Sequence, residues 1–148
     1  SLLTTLRHEY THVVVKELCP GCPNWLNEGI AQHLELPAEE GAGSSATAER
    51  SARKRKLKEE LHRARPNRIE LEKIPGRLWE ISNQAEARLS YLEGLGFVTY
   101  LVESHGAFRL RLLLAAFRRE KSLSKAFQAT YGAPLRKLEG AWWKSLEP

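Results

Sequence analysis

The chain has 148 residues, 42% of them hydrophobic and 28% charged, which is the size and balance of one soluble globular domain with a modest core. No apolar run approaches the ~20 residues needed to cross a bilayer, and the start lacks the basic, then apolar, then small-residue order of a secretory leader. The formal charge of +5 is unevenly spread. Arg50 to Arg68 sets nine Lys or Arg against Glu59 and Glu60, so the rest of the chain is net acidic. Such a block could meet phosphate or anionic lipid, but a solvated helix face is its commoner meaning.

The sequence opens at Ser1 and contains no Met, which fits a mature product or an excised piece of a longer protein. Cys19 and Cys22 are too few for a disulfide framework and too close together to close a useful loop.

From Leu2 to Leu18, the residues Leu3, Leu6, Tyr10, Val13, Val14 and Leu18 recur at spacings of three and four, the period of an amphipathic helix. Pro20, Gly21 and Pro23 break it, and Asn24 is a suitable N-cap for a second helix from Trp25 to about Leu36. Pro37 to Thr47, rich in Gly, Ala and Ser, reads as a mobile loop before a basic helix from about Ala48 to Ala64 and a turn at Pro66-Asn67. Arg68 to Leu71 allows one short extended piece, and Pro75-Gly76 marks a further break.

A long helix is expected from Ala85 to Ser104 on the pattern of Leu89, Leu92, Leu95, Phe97, Tyr100 and Leu101, ended by Gly106. Shorter helices follow at Phe108 to Phe117, Leu123 to Tyr131 and Leu135 to Leu146. With no repeat and no period-2 strand, the expected fold is mainly α.

His8-Glu9-Tyr10-Thr11-His12 places two imidazoles one turn apart, separated by about 40° around the helix and roughly 6 Å along it, so both can reach one metal ion. Glu9 lies beside the first ligand without sharing its direction, which suits a general base acting on a metal-bound water. A catalytic zinc takes three protein ligands and keeps one position for water. Glu28 is the leading third ligand, because the tight turn brings the second helix opposite the two histidines, with Gly29 permitting close helix approach. The expectation is thus a helix bearing the two histidines packed on the helix that carries the third ligand.

Competing readings stand beside this one. His8 and His12 with Cys19 and Cys22 would make a closed, structural two-His, two-Cys site. The chain could also be a non-catalytic module whose basic helix, residues 50–68, contacts nucleic acid or an acidic partner. Gln32 and Glu35 lie where partners for a ligand imidazole would sit, or are ordinary surface residues. His33 reads as a structural or exposed histidine. His105 either assists an oxyanion or simply occupies a favourable helix C-terminus. Trp142 and Trp143 look like core-facing and lid-like aromatics rather than a nucleic-acid stacking platform.

Pro23-Asn24-Trp25-Leu26-Asn27-Glu28-Gly29 resembles the zinc peptidases called gluzincins, and Trp-Leu-Asn-Glu-Gly is how aminopeptidase N relatives write their third ligand. The long basic segment and the Leu-Glu-Gly-Ala-Trp ending are similar to bacterial peptidase MA-like domains, over nearly the whole chain. Tyr91-Leu-Glu-Gly-Leu-Gly-Phe-Val-Thr-Tyr-Leu resembles the aminopeptidase segment whose first Tyr stabilises the oxyanion, a role that Tyr91 inherits by position.

The resemblance implies one peptidase MA-like domain over 1–148, part of a longer protein, that binds zinc and cleaves a peptide or protein substrate. Nucleic acid is not its expected partner. Gly94 and Gly96 would let the Tyr91 helix pack closely on the zinc helices. Two departures stand out: the interval from His12 to Glu28 is shorter than in the family, and no sheet precedes the first helix to align a peptide.

Overall fold

The computed structural model describes residues 1–36, 44–77 and 80–148, and among them it is helical throughout, with no strand. Seven α-helices follow in order: α1 (Leu2–Leu18), α2 (Asn24–Glu35), α3 (Ser44–Ala64), α4 (Gln84–His105), α5 (Ala107–Glu120), α6 (Leu123–Tyr131) and α7 (Leu135–Ser145). Two single 3₁₀ turns, Arg65–Asn67 and Leu71–Lys73, occupy the connection between α3 and α4. The mainly α expectation therefore holds. The extended piece expected at Arg68 to Leu71 joins no ladder, and Leu71 itself opens the second turn.

Helix ends follow local chemistry. Ser1 Oγ accepts from the Thr4 amide at the start of α1. Asn83 Oδ1 accepts from the amides of Ala85 and Glu86 at the start of α4, and Ser122 does the same for Lys125 at α6, each satisfying an orphan donor of a first turn. At α2 the expected cap is displaced by one residue. Pro23 holds the cap position without a side-chain bond, and Asn24 instead spends its amide on the Gly76 carbonyl at 3.0 Å. Helix α3 starts at Ser44, inside the segment expected to be loop, while 37–43 lie outside the described residues.

Helix α4 is the axis of the molecule, packing against α2, α3, α5 and α7. Its Phe97 is fully buried, with ring centroids 6.1 Å from Trp25, 6.0 Å from Phe127 and 5.7 Å from Trp142. Trp142 and Trp143 are both buried, so neither is lid-like. Helix α1 forms over the expected residues, yet its apolar stripe faces outward: Leu3 is 65% exposed, Tyr10 70% and Val13 58%. The buried side is the narrower one that carries Thr11 and Val15.

The α2–α4 contact is backbone on backbone. A Cβ added to Gly29 would lie 2.5 Å from the Gly94 carbonyl oxygen, and one added to Gly94 would lie 2.5 Å from the Trp25 carbonyl oxygen. The close approach expected of Gly94 on a histidine- or Glu28-bearing helix is therefore real, with α2 as its partner, whereas Gly29 makes its close approach to α4 and not to α1. Gly96 faces elsewhere, where a Cβ would meet Trp142 and Leu61 at 2.7 and 2.8 Å. Gly94→Ala is expected to force the two helices apart at about 1–3 kcal/mol, the scale of overpacking, read as a loss in urea-unfolding free energy.

Two buried carboxyl groups brace the connection from α3. Glu93 Oε1 accepts from the Ile69 amide at 3.2 Å, and both oxygens of Glu139 accept from the Leu71 amide at 3.2 and 3.3 Å. Burial, opposed in part by these bonds, pushes Glu93 up to about 8 and Glu139 up to about 7 from an ordinary 4.5. Glu139 further raises Glu93, Glu70 and Glu72 further raise Glu139, and Arg68 offsets this only partly.

Since the folded state holds both groups neutral above their unfolded titration, their contribution is complete below about pH 4.5 and is lost as pH rises through 7 to 8. The urea midpoint is expected to be lower at pH 9 than at pH 6, and Glu93→Gln should flatten that decline. An equal pH dependence in the variant would remove Glu93 as its source.

Candidate metal centre

The turn at Cys19 to Pro23 sets α2 beside α1. Gly21 takes φ +79° there, a conformation with little cost only for Gly, and the Cys22 amide closes the turn on the Cys19 carbonyl at 3.0 Å. This brings the second helix back onto the side of α1 that bears His8 and His12.

The two Nε2 atoms of these histidines lie 2.9 Å apart. Glu28 straddles them, with Oε1 at 3.3 Å from His8 Nε2 and Oε2 at 3.2 Å from His12 Nε2. The three side chains are half-buried, and among the described residues they form a grouping whose donor atoms all lie within 4.8 Å of one another. Sequence reasoning about His8, His12 and Glu28 thus named three residues that the fold does bring together.

The outer ring nitrogens are equally committed. His8 Nδ1 bonds to Glu35 Oε1, and His12 Nδ1 bonds to Asn27 Oδ1 at 2.8 Å. A carboxylate or amide oxygen can only accept, so each Nδ1 carries the proton and each Nε2 of the neutral ring presents a bare lone pair. Gln32 donates to Glu28 Oε1 at 3.1 Å, orienting that carboxylate as well. Two imidazole lone pairs and two carboxylate oxygens therefore point into one small volume, an arrangement that repels itself unless a cation or extra protons occupy it. A donor set of two imidazoles and one carboxylate, each held from behind, is one that could hold a metal ion.

Glu35 and Gln32 take the supporting places that their spacing on α2 suggested. Asn27 was missed by sequence reasoning. The signal was present, since a buried Asn one residue before a candidate ligand requires a polar partner, but its direction depends on where α1 lies.

Glu9, His12, Asn27, Glu28 and Tyr91 line one cleft of about 280 Å³. Glu9 is exposed, and no hydrogen bond or ion pair among the described residues engages its carboxylate. Tyr91, on α4, is 37% exposed and forms the opposite wall. His105 is elsewhere, at the α4 C-terminus, with its ring 6.3 Å from Tyr100 and 5.2 Å from Tyr131. His33 bonds to Thr99 at 3.0 Å, as a structural histidine would.

Cys19 and Cys22 take no part in the grouping, and the hydrogen bond between their thiols, with burial, pushes Cys22 up. The alternative two-His, two-Cys set is thus not assembled. The basic helix α3 instead packs on α4, with Lys54 and Arg50 reaching Glu103 at 2.5 and 3.9 Å. No described helix is long and apolar enough to cross a membrane.

Comparison with protein-family models, with curated proteins and with solved structures returns no match. What the site can do must therefore be argued from its own atoms.

Both imidazoles are expected to carry a proton on Nδ1, facing Glu35 and Asn27, as read from ¹⁵N ring shifts. Asn27→Ala should release that bias at His12 and leave His8 unchanged. A His12 in the parent chain whose Nδ1 lacks a proton would contradict the geometry.

Proposed function

We propose that the chain is a zinc-dependent metallopeptidase of the gluzincin type, related in design to peptidase MA-like domains, with His8, His12 and Glu28 as the metal ligands. The observation that carries the reading is the convergence of two Nε2 lone pairs and the Glu28 carboxylate, each fixed from behind by Glu35, Asn27 or Gln32. When bound, zinc would supply Lewis acidity to a water and to the substrate carbonyl.

The remaining chemistry belongs to the chain's own residues. Glu9 lines the same cleft as two of the ligands and has an unengaged carboxylate, so it can take a proton from the attacking water. It later returns that proton to the leaving amine, which a peptide nitrogen requires before the C–N bond breaks. Tyr91 faces this group from α4. A phenol O–H donates to a developing oxyanion without giving up its proton. The exposure of Glu9 and Tyr91 leaves both within reach of an extended peptide laid along the cleft.

The test separates metal from chemistry. The protein should take up one equivalent of zinc, and His12→Ala should lose nearly all of it. Glu9→Gln should keep the zinc and abolish cleavage of a mixed peptide library. Tyr91→Phe should lower kcat by roughly 10²-fold, the scale of one oxyanion donor, at nearly unchanged KM. Full zinc content in His12→Ala would sink the ligand set, and equal activity in Glu9→Gln would remove Glu9 as the base.

A further inference from the structure

The large hydrophobic side chains left exposed among the described residues are not scattered. All but Tyr91 belong to α1, to the end of α2 or to α5. On α1, Leu2, Leu6, Tyr10 and Val13 follow at spacings of four, four and three, which makes one stripe along the helix. On α5, Phe108 is 70% exposed, and Leu112, one turn on, is 44% exposed. Helices α1 and α5 are in contact. Between them, over α2, lies an apolar cleft of about 410 Å³ whose lining includes Tyr10, Val14, Leu18, Leu34, Leu110 and Leu114. Tyr10, Leu18 and Leu34 belong both to the exposed set and to this lining, so stripe and cleft are one surface. Phe108 and Leu112 each follow a residue of the lining, Ala107 and Arg111, and extend it along α5.

The exposed area of these side chains is on the order of 900 Å², at about 150–250 Å² for one fully exposed large side chain. An ordinary monomer keeps its largest apolar patch to about 300–600 Å², and one side of a stable protein interface covers about 800 Å². Helix α1 has a further need of cover. Helical stability in a folded chain comes mostly from packing of the apolar face, and α1 turns that face outward while burying Thr11 and Val15.

We propose that this face pairs two copies of the chain about a two-fold axis, with Phe108 of each copy entering the cleft of the other. A two-fold pair uses the same patch on both partners, so the patch must carry both the projecting group and the recess that receives it. Here Phe108 stands open beside a recess with room for an aromatic ring. A lipid surface fits less well. Glu17, four residues after Val13, brings an exposed carboxylate onto the α1 stripe, and burying it among acyl chains is costly. A second copy offers it cations, since α5 carries Arg109, Arg111, Arg118 and Arg119 against Glu120 alone. The pairing is independent of the metal and of the peptidase reading.

Sedimentation equilibrium of the full chain should give twice its 16.8 kDa mass at high protein concentration. The melting temperature should rise with concentration, as it does when folding is coupled to association. Phe108→Glu and, on the other helix, Leu6→Glu should each weaken association by about tenfold or more, the loss of one anchoring side chain. Both residues are exposed, so helicity by circular dichroism should stay as in the parent. Arg63→Glu, at an exposed position of α3, should leave the pair intact.

A single-chain mass at every concentration overturns the proposal. So does a pair that survives both Phe108→Glu and Leu6→Glu, or one that Arg63→Glu weakens equally, since either would use another face. A mass that climbs without a plateau would mean an open-ended contact in place of a closed one. A monomer that sediments with vesicles of anionic phospholipid would assign the face to lipid. Each of these last two results also removes the two-fold pair.

Discussion

The contact of Gly29 on Gly94 fixes the position from which everything in the candidate site is measured. With a Cβ at either residue colliding with a carbonyl oxygen at 2.5 Å, α2 can sit at this depth on α4 only because both residues are glycine. The rotation of α2 is then set, because one face is committed to α4. Each residue advances the helix by about 100°, so Glu28, Gln32 and Glu35 fall within roughly 60° of one another on the flank beside that face. Helix α1 lies over this arc. The same glycine contact places Tyr91, one turn before Gly94 on α4, across the cleft from Glu28.

Two imidazoles on consecutive turns of a helix are common; two imidazoles whose outer nitrogens are both held are not. A free histidine samples rotamers and tautomers, and ordering it costs side-chain entropy. Here Glu35 and Asn27 hold both rings. The cost of convergence, lone pair against lone pair at 2.9 Å, is borne by the packing of α2 on α1 and α4. This is the relation expected of a binding site, where local conflict is tolerated because the scaffold over-determines it.

Much of this was legible in the chain and some was not, for identifiable reasons. Helix positions follow from periodicity and from Pro and Gly breaks, and α1, α4 and α6 begin and end within a residue or two of the positions that those signals give. The face that a helix buries is harder to read. In α1 the hydrophobic stripe through Leu3, Leu6, Tyr10 and Val13 points outward, because the hydrogen-bonding histidines, and not the apolar residues, meet α2. Periodicity measures only that a stripe exists. His8, His12 and Glu28 were legible because donor type and spacing are local facts, whereas Asn27 depends on a ring that reaches it from another helix. Gly94 and Gly96, two residues apart, looked alike in sequence yet face opposite sides of α4, one against α2 and the other against α3 and α7.

Glu93 and Glu139 show the same dependence on tertiary context in the strongest form. In sequence each is a charged residue in a Leu-Glu-Gly triplet, and charged residues are ordinarily solvated. In the fold both are buried and bind the amides of Ile69 and Leu71. The segment between α3 and α4 has no ladder and little helix, so its inward-facing N–H groups need acceptors from elsewhere, and a buried amide left alone costs more than a hydrogen bond returns. A carboxyl group serves in the neutral state, at the expense of raising its own titration toward physiological pH. Glu93 retains one buried oxygen without a partner among the described residues, a desolvation cost that the bond to Ile69 offsets only in part. The acidic residues thus divide by location: Glu28 and Glu35 face the half-buried histidines, while Glu93 and Glu139 hold the connection behind α4 in a form that only burial makes available.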